Sequence, residues 1–547
     1  MKGSSGVDGQ FSYLGIKSGL LDLLHDNPVS NEKPVLLQFN FDGLPLFKSS
    51  NIEMWPILCL SKVISSKPFV EAIYCGVKKL HPLSDFLNNF VNELQSLLAE
   101  GVVCGGVQYE VKVDCFVCDA PARAFVKNVK SHTGYSGCEK CKEDGVYMSK
   151  HMTFPGTDAV LRTDDEVRNM TDEMHHNGPT PLSKLPICLV SQFVYDYMHL
   201  VCLGVVRKLL KFWLRGPIKK NDSVASRLCA RNVQLLSDKL VKLYKYIPSE
   251  FARKPRSVSE VDRWKATEFR QFLLYTGPVI LPGILSQVVY NHFLLLSVAI
   301  TLLVSSDLCQ KYAEYAHSLL VLFVEQAKQV YGDDFIVYNV HGLTHLAADI
   351  KHHGSLDGCS AFPFENKLKA LKILVRKPGC PLSQVVRRLS EERTPFSESR
   401  CLDTDGTPVC EAEHNDGPVP DGYEGARQFV CLNSINSCSY RLNVKRTGDR
   451  CVLVQDVGPV LAVNILSLTG IVYVVFKQFK QVMDLFDSPL PSSCLGIYKV
   501  SMTSKRLSVC RVDRVQTKCV LMPLNADDEK MAYAVVPVIH TVAVERS

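Results

Sequence analysis

The sequence predicts a mixed α/β protein: an α/β core interrupted by an all-helical insertion, followed by a small β-rich C-terminal domain. Three observations carry this. Strand-like and helical runs follow one another as β-β-β-α-β-α from residue 34 to about 130. Helical periodicity then dominates from about 190 to 330. Past residue 428 the chain turns to short runs rich in β-branched residues, such as CVLVQDV and GIVYVVF.

Each element follows from its residues. Residues 1–33 read as a helical lead-in (GIKSGLLDLL) that stops at Asn27-Pro28 and Lys33-Pro34. Residues 35–41 (VLLQFNF) read as a strand closed by Asp42-Gly43, and 55–64 and 69–77 as two more. Residues 85–99 place apolar side chains at helical spacing. Residues 109–118 are strand-like and run into Asp119, and 120–129 suit a further helix. This order opens an RNase H-like fold, although other α/β folds begin the same way. The core is expected over 34–155, the insertion over 156–335 and the rest of the core over 336–381. A Ser, Glu, Asp, Gly and Pro-rich linker should cover 382–427, and the β-rich domain 428–547. No internal repeat is evident.

Composition narrows the function. A 46% hydrophobic, 22% charged chain is not mainly disordered. A net charge of +6 is too mild to imply a nucleic-acid partner by itself. The N-terminus lacks the apolar core of a signal peptide, so the 21 cysteines are expected as buried thiols or metal ligands in an intracellular, soluble protein. The longest apolar run, residues 293–304, falls short of the about 20 residues that span a bilayer and reads as a buried helix.

Two kinds of chemistry are written into the residues. Asp42 ends the first strand and Asp119 the fourth, which are neighbours in an RNase H-like sheet. Glu365 opens an amphipathic stretch after the insertion. Three carboxylates at one sheet edge would hold two hard cations, Mg²⁺ or Mn²⁺, suited to phosphodiester chemistry. Singly, each acid also fits a turn or a helix start. The second kind is zinc. Cys138 and Cys141 have knuckle spacing, and His341 and His345, at i and i+4, share a helix face. A closed structural Cys₂His₂ site is expected. The alternatives are no zinc site at all, or a four-cysteine ribbon with Cys115 and Cys118, which lack the Gly or Pro to turn a knuckle. No P-loop, G-x-G-x-x-G or G-x-S-x-G motif is present.

Six stretches in order, FNFDGLPLFKSS, VDCFVCDAPARAFVKNVKSHTGYSGCEKC, DYMHLVCLGV, WKATEFRQFLLYTGPV, VHGLTHLAAD and SAFPFENKLKALKILVRK, resemble the CACTA-type (En/Spm) DDE transposases. They are more distantly similar to Transib-like transposases and the vertebrate V(D)J recombinase. The resemblance spans roughly residues 10 to 390. It implies metal-dependent cutting at element ends, strand transfer to target DNA, DNA as partner, homo-oligomers on DNA and a nuclear location. It implies Asp42, Asp119 and Glu365 as catalytic acids and Cys138, Cys141, His341 and His345 as zinc ligands. Asp196 and His199 match a D-x-x-H motif, against the plainer reading of a capping Asp and a packed His. Trp264 matches an aromatic residue that stacks on a flipped base, against that of a core Trp. His132, just before the knuckle, is a weaker DNA contact. Arg123, Lys127 and Lys130 after Asp119, Lys367, Lys369, Lys372, Arg376 and Lys377 after Glu365, and Arg253, Lys254, Arg256 and Arg263 before Trp264 are expected to neutralise phosphates, or else to form solvated faces. The expected function is thus DDE-type cleavage and strand transfer. The alternatives are a domesticated, inactive DNA-binding derivative, or another RNase H-like nuclease. Residues 1–33 are too short for the DNA-binding module that usually precedes such a core.

Overall fold

The computed structural model describes residues 9–47, 51–77, 81–216, 226–393, 408–434, 440–524 and 532–539. The chain is a mixed α/β protein and divides into two compact units. The first comprises residues 1–204, 309–317 and 331–399, and the second the remainder.

The first unit is built on a seven-stranded sheet. Its strands are β1 (Gln10–Tyr13), β2 (Val35–Phe41), β3 (Leu44–Pro45), β4 (Glu53–Leu60), β5 (Phe69–Gly76), then β8 (Val111–Cys118) and β11 (Phe193–Tyr195). Between them lie the hairpin β6–β7 (Val102–Cys104, Val107–Tyr109) and the hairpin β9–β10 (Val146–Met148, His151–Thr153). The spatial order is β1-β5-β4-β2-β8-β11, with β3 on β4. The first four strands of that order pair antiparallel, while β2–β8 and β8–β11 are parallel. Strand β2 is buried at every position but Leu36, the near-continuous apolar pattern of a strand covered on both faces. Helices α1 (Ile16–Asp26) and α2 (Leu83–Glu100) cover one face. Phe39, Phe41, Phe86, Phe90 and Phe116 form its aromatic centre.

After β8 come α3 (Ala120–Lys127) and the short α4 (Asp164–Arg168). The boundary expected at 156 does not coincide with a change of compact unit. Residues 193–195 are β11, the sheet's last strand, and the first unit continues to 204. Three residues carry too little alternation to be seen as a strand.

The helical run follows: a π-helix (Met198–Val206), then α5 (Arg207–Arg215), α6 (Ala230–Lys242), α7 (Ala266–Gln271), α8 (Gly277–Ile280), α9 (Gln287–Val304) and α10 (Ala313–Tyr331). By length and composition α9 is apolar enough to cross a membrane, yet from Val289 to Val304 only Asn291 is exposed. It is the core helix of the second unit, as its sequence predicted.

The chain returns to the first unit with α11 (Tyr338–His341), α12 (Leu346–His353), α13 (Phe362–Leu374) and α14 (Pro381–Arg393). Helix α14 corrects the linker expected over 382–427. Its Leu382, Val385 and Leu389 are buried at i, i+3 and i+7, a stripe hidden in the sequence by the polar residues between them. Residues 394–407 of that expected linker lie outside the described residues.

The C-terminal part is β-rich: β12 (Val409–His414), β13 (Arg427–Ser434), β14 (Tyr440–Asn443), β15 (Cys451–Val454), β16 (Gly458–Leu468), β17 (Ile471–Asp484), β18 (Tyr498–Arg511), β19 (Val515–Pro523) and β20 (Tyr533–Pro537). Strands β16-β15-β19-β20-β18-β17 pair in that order, and β17 pairs back onto β16. All six pairings are antiparallel, so the strands close into a barrel. The barrel is not separate from the helices. Lys518 Nζ, 1% exposed, binds Glu250 at 2.7 Å and Asp449 at 2.6 Å. This buried cluster joins the residues after α6 to β19 and the turn before β15.

Candidate functional site

Two residue groups in the first unit carry chemistry. The first begins at the sheet edge. Strands β2 and β8 lie side by side in parallel, with Phe39 opposite Phe116. An aspartate follows each strand, so Asp42 and Asp119 leave the same edge together. Backbone amides fix both carboxylates. Gly43 N–H donates to Asp42 Oδ1 at 2.7 Å, and Ala122 N–H to Asp119 Oδ1 at 2.8 Å, making Asp119 the N-cap of α3. Glu365 sits in the first turn of α13. Burial, reinforced by the charges of Asp119 and Glu365, pushes Asp42 up to about 7 from an ordinary 3.8. Burial raises Glu365 as well, against the pull of His199. Asp42 therefore carries charge against burial and two neighbouring acids, a cost that a divalent cation would offset. Their oxygens do not all fall within 4.8 Å of each other, unlike those of the second group.

The D-x-x-H pair ties this edge together. Asp196, 2% exposed, accepts from Ala361 N–H at 2.8 Å, where α13 begins, and from the backbone N–H groups of Met198 and His199. Its Oδ2 also meets His199 Nδ1 at 2.6 Å. The capping role is thus present, but His199 is more than packing. Its Nε2 lies 3.6 Å from Glu365 Oε1. Burial opposes charge on His199, yet Asp196, Asp42 and Asp119 together push it up to about 9. An imidazolium therefore stands among the acids at neutral pH.

The second group is Cys138, Cys141, His341 and His345, all buried, with ligand atoms mutually within 4.8 Å. Cys138 Sγ to Cys141 Sγ is 3.5 Å, Cys141 Sγ to His341 Nε2 3.3 Å, Cys138 Sγ to His345 Nε2 3.6 Å, and the two Nε2 atoms are 3.3 Å apart. Tetrahedral Zn²⁺ with Zn–S of about 2.3 Å and Zn–N of about 2.0–2.1 Å requires edges of about 3.3–3.8 Å. The cluster fits zinc. His341 Nδ1 lies 3.0 Å from the Gly156 carbonyl, which leaves Nε2 as the free ligand nitrogen. The four-cysteine alternative is not formed. Cys115 and Cys118 are buried in β8, where burial raises both thiols.

The knuckle's two middle residues were not singled out in the sequence, and they connect the groups. Glu139, 3% exposed, takes Arg123 Nε at 2.8 Å and Lys127 Nζ at 3.1 Å, both from the helix that Asp119 caps. Lys140 Nζ binds Asp349 of α12 at 2.6 Å, and Asp349 also accepts the Tyr195 N–H of β11.

This corrects two expected DNA contacts. Arg123 and Lys127 are 2% and 3% exposed, because their charges are spent on Glu139 inside the protein. Trp264 is corrected too. It is 6% exposed, donates Nε1–H to the Ser257 carbonyl and packs on Phe269 and Phe272 in the second unit, as a core Trp. Arg256 near it is engaged by Glu260 and Glu268. Lys369 and Arg376, by contrast, are exposed, and Lys369 and Lys372 follow Glu365 at i+4 and i+7. His132 is half-buried beside Tyr338. A further cluster, Asp114, Cys115 and His353, is a hydrogen-bond knot: His353 Nδ1 meets Asp114 at 2.9 Å and Nε2 the Ser191 carbonyl at 3.1 Å, so neither nitrogen is left for a metal.

Among known families, a domain of unknown function, DUF8592, matches residues 413–538, the β-rich part with the barrel. No curated protein matches the chain.

Proposed function

We propose that this chain is a CACTA-like DDE transposase or a close derivative, acting on DNA in the nucleus. The first sheet is then an RNase H-like core and the helices after β11 its insertion. The observation that carries this reading is the pair of aspartates at the ends of adjacent parallel strands, electrostatically coupled to Glu365 on a late helix. Asp42, Asp119 and Glu365 would hold Mg²⁺ or Mn²⁺, which supplies activation of the attacking oxygen and stabilisation of the leaving one. The chain's own part is positional. Backbone amides aim the aspartates, Asp196 fixes the start of the Glu365 helix, and the Cys₂His₂ cluster anchors the Asp119 helix through Glu139. His199 sits where it can donate a proton or a hydrogen bond to a phosphate oxygen.

Mn²⁺ calorimetry on the zinc-loaded protein tests the reading. Wild type should bind Mn²⁺, and Asp119→Asn should lose it while still binding DNA. Equal Mn²⁺ binding by both would remove the acid cluster. A second reading, a transposase-derived protein that binds DNA without cutting, draws on the spread of the three carboxylates. It requires that Mn²⁺ with DNA yields no cleaved or joined product.

A further inference from the structure

The barrel carries a charge pattern that the acids and the zinc cluster do not use. Strands β17 and β18 hold six basic residues, Lys477, Lys480, Lys499, Lys505, Arg506 and Arg511, against one acid, Asp484. Arg511 pairs with Asp513 at 3.0 Å. The other five have no acidic partner among the described residues, and Lys480, Lys505 and Arg506 are exposed.

Backbone pairing leaves the stretch that carries Lys480, Lys505 and Arg506 as a ribbon. Strand β17 pairs with β16 only as far as Gln478, and β18 with β20 only over Tyr498, Lys499 and Val500. In between, residues 479–481 and 501–503 pair only with each other, and β18 beyond Val500 has no partner strand besides β17 among the described residues. At the last residue that β17 pairs with β16 the register slips, so Ser504, Lys505 and Arg506 together oppose Gln478, and both cations are exposed. Lys477 and Lys480 are about 10 Å apart along the strand. Phe476 and Phe479 are buried, and Tyr473 packs on Tyr423, which leaves no fully exposed aromatic ring on the ribbon for stacking bases. Exposed Val482, Met483 and Met502 lie among the cations, suited to sugars and thymine methyls.

We propose that the β17–β18 ribbon is a contact surface for duplex DNA, holding the phosphate backbone through these cations. A two-stranded ribbon fits a B-form major groove about 12 Å wide, and cations without stacking rings suit backbone contact rather than single strands. The inference rests on the DNA reading above for its choice of ligand, and its test is separate. Full-length protein and the Lys480→Gln/Lys505→Gln/Arg506→Gln variant are titrated with a 30-base-pair duplex of arbitrary sequence at several salt concentrations. Each lost phosphate contact lowers the slope of log K against log salt by about 0.9, so the variant's slope should fall by about two to three. Its melting temperature should not move, since all three side chains are exposed. Asp119→Asn should bind this duplex like wild type, so failure of the acid site does not touch the ribbon. An unchanged slope and affinity in the triple variant overturns the proposal. So does tighter binding of single strands or of polyglutamate than of duplex.

Discussion

Replacing Asp42 with Asn should stabilise the metal-free protein at pH 8 and leave it almost unchanged at pH 4. In the folded chain Asp42 ionises near 7, against an ordinary 3.8, because burial and two neighbouring carboxylates oppose its charge. A raised folded value means that the folded state holds the proton more tightly. The resulting stability is complete below about pH 3.8 and is lost as pH rises through about 7. Three pKa units at about 1.36 kcal/mol each amount to about 4 kcal/mol by pH 8. That figure already contains the attraction of His199. Asn avoids the charge yet keeps an oxygen for Gly43 N–H, so little is lost in exchange. At roughly 2 °C per kcal/mol for a unit of this size, the gain is about 8 °C in the first unit's melting transition at pH 8. Scanning calorimetry with EDTA-washed, zinc-repleted protein at both pH values reads it directly. Added Mn²⁺ should narrow the gap by stabilising wild type alone. A variant that melts with wild type at pH 8 would refute the idea that these acids are held against one another.

Two more outcomes follow. Purified protein should carry one zinc per chain, Cys138→Ser should lose it and melt lower, and Cys115→Ser should keep it; zinc retained in the first variant would remove the Cys₂His₂ assignment. Lys518→Met should cost about 3–5 kcal/mol, since it strands Glu250 and Asp449 in the interior, and adding Glu250→Gln and Asp449→Asn should recover part of that. A urea midpoint unmoved by the single change would mean that this cluster does not hold the barrel to the helices.

How much of this was legible in the sequence varied with range. The two aspartates could be found because each ends an apolar strand run, and the zinc ligands because C-x-x-C and an i, i+4 histidine pair have spacings set by local geometry. Arg123 and Lys127 misled because their partner is invisible locally. They read as a basic helix face until Glu139, 16 and 12 residues on, is folded against them. Trp264 misled for a related reason, since a resemblance gives position but not exposure. Strand β11 was too short to show a period, and α14 was masked by a polar neighbourhood. Closure of the barrel depends on long-range pairings, β15 onto β19 and β18 onto β20, that no short window of sequence contains.

The zinc cluster also has a consequence for how the chain is made. Its cysteine pair precedes its histidine pair by 200 residues or more. Both thiols leave the ribosome long before either imidazole exists, and the helices from α5 to α10 must be synthesised in between. Closing a loop of that size costs about 5 kcal/mol of chain entropy, well within what a structural zinc supplies. A metal held by these four residues would therefore work as a late clasp. Until the histidine pair is made, two neighbouring thiols stand without those partners, and zinc bound there would join segments of the chain synthesised far apart.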